Sequence, residues 1–98
     1  MNKIDDKFAR NFGFELEVFR DWFVLYTSGN GAPLIKGEVV DGRAKDVGLV
    51  FDSAYDSRLS PDLAIAYAHR IIYVAQIAKN LENLPLEKNK KEEEEIEE

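Results

Sequence analysis

The stretch Phe12-Gly13-Phe14-Glu15-Leu16-Glu17-Val18-Phe19-Arg20-Asp21-Trp22-Phe23-Val24-Leu25-Tyr26 decides the fold class. Its first half alternates: Phe12, Phe14, Leu16 and Val18 are separated by Gly13, Glu15 and Glu17. Side chains of a strand point to opposite faces in turn, so a period of two marks a half-buried strand. Trp22 to Tyr26 is a dense β-forming run, expected as a central strand. Arg20-Asp21 between them supplies no Gly or Asn for positive φ. A turn between two strands and a bulge in one long bent strand both remain open there.

Downstream, Ser28-Gly29-Asn30-Gly31 is a strong turn signal. Residues 34–40 form the next expected strand, with Pro33 at its start, where no ladder hydrogen bond need be donated. Asp41-Gly42 suits a tight hairpin turn. Val47, Leu49 and Phe51 alternate with Gly48, Val50 and Asp52, a fourth strand, and residues 52–57 make a polar loop containing Tyr55. Upstream, Ile4 and Phe8 stand four apart behind Asn2, a possible cap, so residues 2–10 read as a short helix or an ordered arm.

The clearest helix start lies at Ser60-Pro61-Asp62. Ser60 can cap, Pro61 fits the first helical position, and Asp62 meets the positive end of the helix dipole. The helix is expected to run to about Leu84, where Pro85 stops it. The predicted fold is therefore α+β: an antiparallel sheet of three to four strands, then one long C-terminal helix. One domain spans residues 1–84 and a charged acidic tail spans 85–98, with three lysines and seven glutamates in the tail. The tail reads as a solvated extension, or as an acidic lure competing with nucleic acid for a basic surface.

At 100° per residue, Leu63, Tyr67, Ile71, Val74, Ala78 and Leu81 share one face of that helix. Ala64, Ala68, Ala75 and Ala78 form a seam beside it, with Ile65 and Ile72 on one flank and Ile77 and Leu84 on the other. Twenty-four helical residues would reach roughly 36 Å, past a four-stranded sheet roughly 20 Å across. The overhang is expected at Ile77, Leu81 and Leu84. A second copy of the chain would cover it, with Ala64, Ile65, Ala68, Ile72, Ala75, Ile77, Leu81 and Leu84 as the partner or dimer surface. The N-terminal segment, with Ile4 and Phe8, could cover it within one chain instead.

Composition narrows the chemistry. Ninety-eight residues carry a net charge of -6 and 45% hydrophobic side chains, enough for a packed core. Cysteine is absent, which excludes disulfides, thiol chemistry and Cys-based metal sites. No apolar run approaches the roughly 18 residues of a membrane span, and no secretory leader is read at the N-terminus. A cytoplasmic protein is expected. Asp52 and Asp56, near Asp46 and Asp62, could gather round magnesium, but Asp is also an ordinary loop and cap residue, and no metal or cofactor is expected. His69 with Arg70 and Tyr73 reads as a surface group rather than a proton-transfer group. Phosphate-binding loops and the serine-hydrolase elbow are missing, so no catalytic residue is assigned and no enzyme is expected.

Aromatics beside a cation, Arg20, Trp22 and Phe23, are the candidate nucleic-acid contacts, since exposed aromatics stack on unpaired bases. The element order, entered at the helix through Leu59-Ser60-Pro61-Asp62, also resembles the PC4-type single-stranded-DNA-binding domains over about residues 12–84. That resemblance implies β-β-β-β-α chains paired into dimers through the helix, with a basic, aromatic sheet. The strand region here has Arg20, Lys36, Arg43 and Lys45 against Glu15, Glu17, Asp21, Glu38, Asp41 and Asp46. No binding residue is carried over. The expected function is a small, non-enzymatic, self-associating protein-interaction module of a phage or mobile-element type, docking on a partner protein. The alternative is a single-stranded nucleic-acid-binding dimer with that strand-then-helix order.

Overall fold

Asp5 accepts the Phe8 amide at 2.8 Å and so caps a six-residue helix, α1 (Asp6–Asn11). The computed structural model describes residues 3–27, 33–51 and 58–87. Gly13, at φ +86, ends α1. The Phe14 and Gly13 amides donate back to Ala9 and Arg10, the paired closure that a left-handed residue after the cap makes possible. Asp5, rather than Asn2, is the cap.

Four strands follow: β1 (Glu15–Val18), β2 (Trp22–Tyr26), β3 (Leu34–Val40) and β4 (Arg43–Val50). They pair antiparallel in the order β1-β2-β3-β4. Arg20-Asp21 is a turn between two strands: Val18 lies opposite Phe23, and the Phe19 amide donates to the Trp22 carbonyl at 2.7 Å. Neither turn residue takes positive φ. Asp41 and Gly42, at φ +54 and +75, form the expected tight turn, which needs two left-handed residues to match the strand twist. The Ser28–Gly31 turn and the 52–57 loop lie outside the described residues.

One irregularity shapes the sheet. Lys36 pairs with Gly48 but Glu38 pairs with Lys45, so Asp46 and Val47 together face Gly37. This is a bulge, with Asp46 at φ +57. Gly37 is buried against the ring of Phe23; a Cβ there would stand 2.7 Å from Phe23 Cε1.

The long helix, α2 (Pro61–Ala78), starts as expected, with Ser60 Oγ accepting the Leu63 amide. It ends six residues earlier than the periodicity predicts. The Asn80 and Leu81 amides make tightened bonds to Ile77 and Ala78, and Asn83 takes φ +70. Leu81 then turns fully into the core. Pro85 does not stop the helix. Beyond the turn at Asn83 the chain makes isolated bridges, Pro85 to Arg43 and Leu86 to Ile4: Ala44 and Leu86 donate to Leu84 and Gly42, while Ile4 donates to Pro85 and Glu87 to Ile4. The Lys3–Glu87 ion pair at 2.7 Å closes this edge. The pairing of the domain therefore reaches Glu87, past the expected boundary at 84. Residues 88–98 lie outside the described residues.

The core fills one face of the sheet. Leu16, Val18, Phe23, Leu25, Ile35 and Ala44 meet Ile4, Ala9, Phe14, Val74, Ile77, Ala78 and Leu81. Removing such side chains from water is the main favourable term, roughly 1.5–3 kcal/mol for each large one. Among the described residues, no helix is long and apolar enough to cross a membrane.

Candidate interaction surface

The buried residues of α2 are Val74, Ile77 and Ala78, all in its last turn and a half. That end rests on β3 and β4, with Phe8 and Phe12 of the N-terminal segment beside Tyr73, Ile77 and Leu84. The expected overhang at Ile77, Leu81 and Leu84 is thus corrected. Ile77 and Leu81 are buried, Leu84 is half-buried, and the chain covers all three itself.

The uncovered end is the other one. Leu63 is 60% exposed although it shares the helical face of Val74. Leu59, Ala66 and Tyr67 line a small cleft with it. On the back of the helix, Ile65 is 57% and Ile72 54% exposed. Ala64 and Ala68 are exposed and Ala75 is half-buried, so these five lie together on the side away from the core. Of the eight residues expected at a partner surface, five are accessible and three belong to the core or its rim.

The second apolar area is the outer face of the sheet. Glu17, Trp22, Val24, Tyr26, Thr27, Leu34, Lys36 and Val50 line a shallow groove there. Of the candidate nucleic-acid contacts, Phe23 is fully buried on the opposite face, a direct result of strand alternation. Arg20 is exposed, and Trp22 is 37% exposed. The Trp22 ring stacks on Phe19 from the β1 side and carries Lys36 Nζ, from the β3 side, 4.6 Å from its centroid. A base could reach its face only by displacing one of them. Sequence patterning marks Tyr26 among the aromatics near Arg20 but does not single out Val24, Leu34 and Val50; their period-two placement opposite the core residues is the available signal. Burial first, then Glu17 and Glu15, push the Tyr26 phenol above its usual value of 10.

Asp52 and Asp56 lie outside the described residues, and among the described residues no three His, Asp or Glu side chains gather as a metal site would require. Asp46 sits in the bulge and Asp62 in the first turn of α2. His69 is exposed, whereas the Arg70 guanidinium lies over Phe14 and Tyr73 at 5.8 and 5.2 Å. Arg70 therefore fastens α2 to the segment before β1.

Glu82 is the polar residue that sequence patterning missed. Its two carboxylate oxygens accept the Asp46 and Val47 amides at 3.0 and 3.1 Å, satisfying the donors that the bulge leaves unpaired. The Val47 amide, then that of Asp46, with Lys45 nearby, hold its carboxyl below the usual 4.5. Asn83 accepts from Arg43 through its carbonyl at 2.8 Å and from Lys45 through its side chain.

The chain matches no protein-family model, no curated protein and no solved structure. The likeness to the PC4-type domains rests on element order.

Proposed function

We propose that this chain is a non-enzymatic interaction module that self-associates through the exposed part of α2. One observation carries the reading. In the first two-thirds of α2, Leu63, Ile65 and Ile72 are all more than half exposed. Ile65 and Ile72, two turns apart on the back of the helix, form with the exposed Ala64 and Ala68 an apolar stripe of the kind that marks contact sites. The well-formed caps at Ser60 and Pro61 favour keeping this segment helical, so the surface is presented ready-made. A second copy brings the same patch and buries both, the commonest form of soluble assembly. Docking on a further protein partner would use what this pairing leaves free.

Light scattering on the full chain tests the reading. A mass of twice 11.2 kDa is expected at micromolar concentration. The double variant Ile65→Lys/Ile72→Lys should return it to a single chain with unchanged circular dichroism. A wild-type chain that stays at 11.2 kDa up to millimolar concentration would overturn it.

A further inference from the structure

We infer that two copies of α2 pair antiparallel, with Ile65 and Ile72 of each helix seated on Ala75 and Ala68 of the other. The inference rests on the self-association reading and adds the geometry of the pair. Ile65, Ala68, Ile72 and Ala75 are spaced three, four and three residues apart. That is the spacing of a two-helix seam. The seam lies on the solvent side: Ile65, Ala68 and Ile72 are exposed and Ala75 is half-buried.

Size decides the direction. In a parallel pair each residue meets its own copy, so isoleucine layers would prop the helices apart and leave voids at the alanine layers. Voids forfeit contact energy on both sides. In an antiparallel pair centred on Arg70, Ile65 meets the partner's Ala75 and Ile72 meets the partner's Ala68. Every layer is then one large and one small side chain, at one uniform and close spacing.

Charge agrees. Asp62 stands in the first turn of α2, and Lys79 follows at its C-cap, exposed and one heptad beyond Ile72. Antiparallel pairing brings Asp62 to the partner's Lys79 twice, and opposes the helix dipoles favourably. Parallel pairing sets like charge beside like charge at both ends. Position agrees too. The first half of one helix, which carries the exposed Ile65, would lie along the second half of the other, which Val74, Ile77 and Ala78 hold to the core.

The test is a distance between two spin labels on the full chain. Cysteine is absent, so Arg58→Cys, at an exposed position just before α2, gives one label per copy. Antiparallel helices 18 residues long separate the labels by about 27 Å or more, from a rise of 1.5 Å per residue. Parallel helices hold them within about 20 Å, at interaxial distances of 8–10 Å plus label length. In unlabelled protein, Asp62→Lys and Lys79→Asp should each weaken the dimer about threefold, and the two together should restore it. A dimer with the long distance and the restored swap supports the inference. A dimer with the short distance, or a swap that weakens further, overturns the antiparallel geometry and leaves self-association standing. A monomer at every concentration overturns both.

Discussion

Trp22 lies face to face with Phe19 across the first hairpin, ring centroids 4.2 Å apart and planes 17° from parallel. The two residues flank Arg20-Asp21, a turn with neither Gly nor positive φ to favour it. The stack therefore supplies closure that turn chemistry does not. Phe19→Ala should cost about 0.5–1.5 kcal/mol beyond the lost area, read as a lower urea midpoint. Trp22 is the sole tryptophan, so its emission should shift in the same variant. An unchanged midpoint would show that the turn closes without the stack.

The same sandwich bears on nucleic acid. With Phe19 stacked on it and Lys36 Nζ over it, the Trp22 ring is already engaged by its own chain. Single-stranded oligonucleotide at low salt, where such binding is strongest, should leave tryptophan emission unchanged. Quenching that saturates with oligonucleotide and fades with salt would favour the nucleic-acid reading over the interaction module.

Two glycines of the sheet should respond oppositely to a methyl group. A Cβ at Gly37 would lie 2.7 Å from Phe23 Cε1, 3.0 Å from Phe23 Cζ and 3.1 Å from the Lys45 carbonyl. Phe23 is fully buried and cannot move aside cheaply. Gly37→Ala should cost about 1–3 kcal/mol through overpacking, a fall in melting temperature of about 4–8 °C for each kcal/mol. Gly48 has nothing within 4 Å and no positive φ. Gly48→Ala should be neutral or stabilising by up to about 1 kcal/mol. Equal effects at the two positions would contradict the packing described at Gly37.

The strands were legible because each carries its own evidence. Leu16 and Val18 alternate with glutamates, residues 34–40 follow a proline, and Asp41-Gly42 names its turn. The start of α2 was legible for the same local reason, at Ser60-Pro61-Asp62. Its end was not. Leu81 continues the helical spacing from Val74 and Ala78, so periodicity runs on where the helix stops. What stops it is distant in sequence: Glu82 reaches the bulge at Asp46 and Val47, and Asn83 reaches Ala44. Ile65 and Ile72 could be placed off the core face by angle alone. Leu63 could not, because it shares the helical angle of the fully buried Val74 and is exposed all the same.

Glu82 gives the domain a measurable pH dependence. Its folded carboxyl lies below the ordinary 4.5, held there by the Val47 and Asp46 amides. A depressed folded value contributes stability that is complete above the unfolded value and is lost as pH falls through the folded one. Glu82→Gln should therefore be less stable than wild type at pH 7. The gap should narrow as pH drops below 4.5, as the wild-type carboxyl also takes up a proton. Urea unfolding of both proteins at pH 7 and at pH 3 checks this. A gap that stays constant would mean that shape, not charge, fastens Glu82 to the bulge.

Truncation separates a tail from the bridged segment before it. Residues 83–87 carry backbone bonds from Leu86 to Gly42, from Ile4 to Pro85 and from Glu87 to Ile4, and Leu86 packs against the core. A chain ending at Leu84 loses all three bonds. At about 1 kcal/mol for each, and with Ile4 stripped of its neighbour, the loss should be about 3 kcal/mol or more, a large share of the stability of so small a domain. A chain ending at Glu87 keeps every one of these contacts and should unfold at the wild-type urea midpoint. If both truncations behave like wild type, residues 85–87 contribute nothing to the fold and the domain closes at Leu84.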